Sequence, residues 1–279
     1  MRCSRHKFIS EREINMNNNF ETIKLDKDKE NYVTTIILNK PPLNTISLKL
    51  LQELNQAIDH LYSDDETRVI IVRGSNKCFS AGADITSFKD ANTPWLSKKG
   101  TIIGQRVFKR LRDIPKPVVA AMEKYAFGGG LELAMNCDIR YAVETTQMGL
   151  TEVTLGLIPG WGGTQLMVRH LGVGKTMELA LTGARITADK AEKMGLINKA
   201  IPEDQFENEV LNLAKTMSTK CAPIAVGMVK QMVNFGAQIP LDVGLEMESY
   251  ASGLVKSTED FNEGTQAFLQ KRKAEFKNK

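Results

Sequence analysis

The sequence predicts an α/β fold: a parallel sheet layered with helices, carrying its function at the strand ends, and followed by an all-helical C-terminal part. Three observations lead there. Short runs of β-branched and other apolar residues, Val69-Ile70-Ile71-Val72 and Val118-Val119-Ala120-Ala121, read as strands buried on both faces. Segments with apolar residues at helical spacing alternate with them. From about Pro202 the strand signals stop and helices follow one another, with no linker composition between the two parts.

Taken in order, residues 1–19 are polar and irregular and are expected to form a disordered extension. Arg2, Arg5, Lys7 and Arg12 hint at an organellar presequence, but Glu11 and Glu13 break its acid-poor pattern, and Met16 offers a second start. The core is expected over residues 20–201 and a helical subdomain over 202–279. Val33 to Leu38 is a strand that Pro41-Pro42 ends. Ser47 is a cap for a helix whose inner stripe is Leu50, Leu51, Leu54, Ala57, Ile58 and Leu61. The Val69 strand, a loop to Pro94, a helix around Ile102 to Leu111, the Val118 strand, a short helix after Gly128 and a strand from Ile139 to Val143 come next. Helices are then expected over Phe206 to Met217, Pro223 to Phe235, Leu241 to Leu254, and from Asp260 to the end.

Composition narrows the function. With 279 residues, 42% hydrophobic and 25% charged, the chain can bury a full core. Its formal charge of +4 sits largely in Lys271, Arg272, Lys273, Lys277 and Lys279, a solvated tail. That tail lacks the interleaved aromatics on which bases stack, so nucleic acid is not an expected partner. No apolar run approaches the roughly 20 residues that span a bilayer, so no membrane partner is expected either. Cys3, Cys78, Cys137 and Cys221 are widely spaced with no CxxC pair, which points away from a zinc site or a disulfide framework and fits a reducing, cytoplasmic location. Neither a metal nor a redox cofactor is implied.

Chemistry is concentrated in four glycine-rich segments. Gly128-Gly129-Gly130-Leu131-Glu132 puts bare backbone at the start of an apolar helix, where N–H groups favour negative charge. Cys78-Phe79-Ser80-Ala81-Gly82-Ala83-Asp84-Ile85 follows the Val69 strand with small residues that let backbone approach a ligand. Two N–H donors from separate strand ends can form an oxyanion hole. Gly149-Leu150-Thr151-Glu152 and Ile158-Pro159-Gly160-Trp161-Gly162-Gly163-Thr164-Gln165 add a second carboxylate and a further glycine loop. Paired carboxylates over an enolate stabiliser suit the addition or removal of water beside a carbonyl.

With these motifs the chain resembles the crotonase, or enoyl-CoA hydratase/isomerase, superfamily. The resemblance runs from about Ile23 to the C-terminus, through FSAGADI, the strand from Ile114 to Ala121, GGGLELAMNCD, IPGWGGTQ, Leu181-Thr182-Gly183, Ala191 to Ile197, and the basic segment Phe268 to Lys273. It implies a β-β-α spiral core with a C-terminal helical oligomerisation subdomain. It implies Ala83 and Gly129 as the oxyanion donors, Glu132 and Glu152 as the catalytic pair, and Gly160 as a backbone position that helps to place the water. Coenzyme A, part of the substrate and not a cofactor, is expected along Leu43 and over Ala81, Ala83, Asp84 and Ile85. Phe268 and Lys271 match a pair that meets it from a neighbouring subunit in a homotrimer or dimer of trimers. Trp161 departs from the small residue often found between the glycines of IPGxGG, and its ring would shorten the acyl pocket.

The implied reaction is reversible hydration of a short trans-2-enoyl-CoA to the 3-hydroxyacyl-CoA, with crotonyl-CoA favoured and acryloyl-CoA the next candidate. Isomerisation of enoyl- or dienoyl-CoA is the alternative. Isomerases commonly lack one of the two glutamates, and dienoyl isomerases carry an acid where Gly160 stands. Thioester hydrolysis and a non-catalytic RNA-binding role are more remote.

Overall fold

Strand β3 (Val69–Gly74) lies at the centre of the molecule because both of its faces are apolar. The period of two sends Ile70 and Val72 to one side and Val69 and Ile71 to the other. On the first side they meet Leu50, Leu54, Ile58 and Leu61 of helix α1 (Leu48–Ser63). On the second they meet Phe206, Val210 and Ala214 of helix α6 (Glu203–Thr219). Ser47 caps α1 as the sequence predicts, accepting from the Leu50 N–H at 3.3 Å.

The structure, a computed structural model, describes residues 20–86 and 93–279; the N-terminal extension and the end of the loop before Pro94 lie outside the described residues. Strands β1 (Ile23–Asp28) and β2 (Val33–Leu38) form an antiparallel hairpin. With β3, β4 (Val118–Met122), β6 (Ile139–Val143) and β9 (Lys199–Ile201) they make a six-stranded sheet ordered β1-β2-β3-β4-β6-β9, parallel throughout except for the hairpin. A second sheet joins β5 (Tyr125–Phe127), β7 (Gln147–Gly149) and β8 (Ile186–Thr187). The hairpin strand β1 and this small sheet were not foreseen: β1 has only two apolar residues, Ile23 and Leu25, before a charged run, and strands of two or three residues carry no periodicity.

Two helix boundaries differ from expectation. Helix α2 runs over Pro94–Asp113 and so begins well before Ile102; Thr93 caps it and Pro94 opens it, but its first turns are exposed and lack an apolar stripe. The last helix, α9 (Glu259–Leu269), stops short of the C-terminus. The tail folds back instead: the Asp260 carboxylate accepts from the N–H groups of Lys277 (2.6 Å) and Asn278 (2.8 Å), and Arg272 pairs with Glu263 at 2.6 Å. Arg68, just before β3, donates to the Phe276 carbonyl at 2.8 Å. The basic side chains Lys271, Arg272, Lys273, Lys277 and Lys279 are exposed, as expected of a solvated tail, while these bonds fix the path of its backbone.

The remaining helices are α3 (Gly129–Met135), α4 (Gly163–Thr182), α5 (Ala188–Met194), α7 (Pro223–Gly236) and α8 (Leu241–Lys256). Helix α7 is anchored by a buried ion pair between Lys230 and Asp138 at 2.8 Å. The same Asp138 oxygen accepts the Val118 N–H, 20 positions away, at 2.7 Å. Burial pushes the Asp138 carboxyl up and the Lys230 ammonium down, and their mutual attraction opposes both shifts.

Candidate active site

The small sheet brings the glycine motifs together. Phe127 of β5 is in register with Gly149 of β7, and the Gly128 N–H donates to the Gly149 carbonyl at 2.9 Å. The triple glycine therefore lies beside the segment leading to Glu152. On its other edge β5 pairs with the chain after β3: Ser80 bridges Ala126, and the Phe127 N–H donates to the Ser80 carbonyl at 3.1 Å. Ala83 is thereby delivered next to Gly129.

The directions of the two expected donors have physical causes. Ala83 forms a one-residue parallel bridge with Ile46, in which the Gly82 carbonyl and the Asp84 N–H engage Ile46. The Ala83 N–H consequently faces the opposite edge. Gly129 is the first residue of α3, so its N–H has no acceptor inside the helix. A methyl added at Gly129 would stand 3.3 Å from the Ala83 nitrogen, which shows how near the two donors are. Neither N–H meets an acceptor among the described residues.

Glu132, one turn into α3, is 2% exposed, and its Oε1 accepts from the N–H groups of Trp161 and Gly163, each at 2.7 Å. Burial, aided by the negative Glu152, pushes its carboxyl up to about 7, while the two N–H donors hold it lower than burial alone would. Glu152 opens a 3-10 turn, Glu152–Leu155, and is half-buried; burial raises its pKa too. Its Oε2 is enclosed without a hydrogen-bond partner among the described residues. Its Oε1 lies where a Cβ on Gly128 would be only 2.9 Å away, and Gly128 also has φ 48°, so this position needs glycine twice over. Both carboxyls have raised proton affinity, and as neighbours they titrate as a coupled pair.

Gly160 presents its carbonyl to the side chain of Gln105 on α2 at 2.8 Å. The same peptide unit donates its N–H, from Trp161, to Glu132. Gln105 thus holds, from outside, the amide that holds the catalytic-pair candidate. The Trp161 ring is partly buried and meets Phe108 edge-on, centroids 5.6 Å apart.

Among the expected coenzyme A contacts, Leu43 and Ala81 are joined by a backbone bond of 2.9 Å, and Ile85 is exposed beside them. The Asp84 carboxylate pairs with Lys40 and accepts from Thr86, and the hydrogen bonds from these two hold its pKa down at about 2. Phe268 is 82% exposed and Lys271 follows it in a turn with φ 54°.

Asn44, which sequence reasoning passed over, and Ser80, read there only as a small residue, organise this loop. Asn44 is fully buried with φ 49°; its amide donates to the Ser75 and Cys78 carbonyls at 3.0 and 2.5 Å and accepts from the Lys40 N–H at 2.9 Å. Ser80 donates to the Asn44 carbonyl at 2.8 Å and accepts from the Gly82 N–H at 3.2 Å. The only sequence signal was an Asn following Pro41-Pro42, which reads as an ordinary turn. Gln105 left no signal at all, because its partner is a main-chain carbonyl 55 positions away.

Fold and site together define an enzyme scaffold in which two unengaged main-chain N–H groups lie near one buried and one half-buried carboxyl. Comparison with known proteins narrows the class. Residues 28–279 match the enoyl-CoA hydratase/isomerase family. The short-chain-enoyl-CoA hydratase of Clostridium acetobutylicum is 41% identical over 90% of this chain and 97% of its own. The crotonyl-CoA hydratase of Syntrophomonas wolfei is 36% identical over 93% and 99%. A crystal structure of enoyl-CoA hydratase from Bacillus anthracis superposes with a TM-score of 0.87 at 35% identity, covering 93% of this chain and all of that one. The chain belongs to the enoyl-CoA hydratase/isomerase family and is an enzyme of its hydratase branch.

Proposed function

We propose that this enzyme catalyses the reversible syn hydration of short-chain trans-2-enoyl-CoA, with crotonyl-CoA/3-hydroxybutyryl-CoA as the favoured pair and acryloyl-CoA/3-hydroxypropionyl-CoA as the next. The observation that carries the reading is the Glu132–Glu152 pair beside the unengaged N–H groups of Ala83 and Gly129. The thioester oxygen accepts from both N–H groups, and negative charge accumulates on it as the reaction proceeds. Donors fixed in advance cost no reorganisation at that moment, and one such donor is typically worth about 3 kcal/mol of barrier.

The two N–H donors on Glu132 favour the charge there, whereas the bare Oε2 of Glu152 suits the proton. Water held between them gives a proton to Glu132 as its oxygen bonds to the β-carbon. The π electrons pass into the enolate, and Glu152 gives its proton to the α-carbon. One proton has been taken up and one delivered, and transfer from Glu132 to Glu152 through the next water restores the starting state. Gly160, held by Gln105, lines the water position in this reading. Leu43 and the 81–85 backbone carry the coenzyme A, and Trp161 bounds the acyl end. Phe268 and Lys271 reach the coenzyme A of a neighbouring subunit in a trimer or dimer of trimers.

The test is incubation of the purified protein with crotonyl-CoA in oxygen-18 water. Hydration appears as loss of the conjugated thioester absorbance with label in the 3-hydroxy product. Migration of the double bond without label would replace this reading with isomerisation.

A further inference from the structure

We propose that Gly104 is a specificity-determining residue: by carrying no side chain it lets the Trp161 indole lie across the space between α2 and α3, and the two residues together set the acyl length the site accepts. The proposal rests on the enoyl-CoA hydration argued above and deepens it. A Cβ at Gly104 would lie 2.5 Å from Cδ1 and 2.7 Å from Cε2 of Trp161, distances that side chains do not sustain. At the opposite edge of the same ring, a Cβ at Gly129 would lie 2.5 Å from Cζ3 and 2.7 Å from Cε3. The indole therefore spans the whole gap from α2 to the first residue of α3, and Phe108, one turn further along α2, backs it edge-on.

Gly104 is buried inside a 20-residue helix, where glycine is less favourable than alanine and needs a local reason. Gly100, one turn earlier in the same helix, would meet nothing within 4 Å, so crowding of the whole helix is not that reason. The indole is. An acyl chain leaving a carbonyl held by Ala83 and Gly129 has the far edge of this ring beside it, because the Gly129 position that meets Cζ3 is also 3.3 Å from the Ala83 nitrogen. The wall is thus made of two positions with complementary volumes, one empty and one large, and volume moved from 161 to 104 should rebuild it.

The experiment compares kcat/KM for crotonyl-CoA and trans-2-decenoyl-CoA in the wild type, Trp161→Ala, Trp161→Ala/Gly104→Leu and Trp161→Ala/Gly104→Ala. Trp161→Ala should raise the C10-to-C4 ratio by roughly tenfold or more, since each methylene of pocket is worth a factor of about 10 to 200. Adding Gly104→Leu should return the ratio to within about threefold of the wild type, by the same scale. Gly104→Ala, a helix-favouring change, should give an intermediate ratio, and it keeps the comparison open if the leucine variant does not fold. A ratio unmoved by Trp161→Ala, or one that both Gly104 substitutions leave at the Trp161→Ala level, would overturn the proposal. Failure of the underlying hydration would look different: the wild type would hydrate neither ester.

Discussion

Glu132 and Glu152 differ in one respect that decides their behaviour: the first has two N–H donors on an oxygen, the second has an enclosed oxygen with none. Replacing either by Gln keeps shape and removes the group that takes up or gives the proton. Each variant should lose roughly 10²-fold or more in kcat while KM for crotonyl-CoA changes little, and steady-state kinetics would show it. Glu132→Gln should also change stability with a definite sign. The unfolded carboxyl titrates near 4.5 and the folded one near 7, so between these values the native state holds more proton than the unfolded chain. Its contribution is fully present below pH 4.5 and is lost as pH rises through 7, up to about 3 kcal/mol. Melting curves should therefore show Glu132→Gln more stable than the wild type at pH 8, with the gap closing toward pH 5. Both carboxylates were legible in the sequence because they sit at fixed offsets from glycine runs. Gln105 and Asn44 were not, because each acts on main-chain atoms whose proximity only the fold creates.

At the scale of elements, the loop between β3 and α2 is shaped by a buried polar cluster and by short strands more than by apolar packing. Asn44→Ala would leave the Cys78 carbonyl and the Lys40 N–H without their partner, while the Ser75 carbonyl keeps the Cys78 N–H at 3.2 Å, and buried groups left unpaired cost about 1–3 kcal/mol each. We expect a loss of roughly 3 kcal/mol in denaturant unfolding, by that figure, and a fall in kcat, because Ala83 is carried by the same loop. Unchanged kcat in a destabilised variant would separate the cluster from the positioning of Ala83. Long helices could be placed from sequence where a cap and an apolar stripe coincide, as at Ser47 with Leu50 to Leu61. Helix α2 was cut short because its first turns lack a stripe, and the β5-β7-β8 sheet escaped because strands of two or three residues are too short for an alternation to repeat.

For the whole molecule, the apolar residues left uncovered are informative. Val229, Val233 and Phe235 on α7, and Leu241, Leu245, Tyr250 and Leu254 on α8, are all exposed in the single chain. Contiguous apolar surface on that scale is unusual for a monomer, and symmetric association would bury it. Light scattering should return about three or six times the 31.0 kDa chain mass. A monomer would count against the assembly and against any contribution of Phe268 and Lys271 to a neighbour's site. No helix of the described residues is long and apolar enough to cross a membrane.

The donors at Ala83 and Gly129 belong to the main chain, and mutation replaces side chains. An ordinary codon change at 83 leaves the N–H in place, so this half of the proposed enolate-holding pair is insulated from most sequence drift, with proline the obvious exception, whereas any side chain at 129 would meet the Trp161 ring. Divergence on such a framework is then confined to the groups around the fixed oxygen: which carboxyls face it, and how far the walls stand back. A lineage could exchange substrates, or trade water addition for proton shuttling, without rebuilding the feature that makes the carbon acidic.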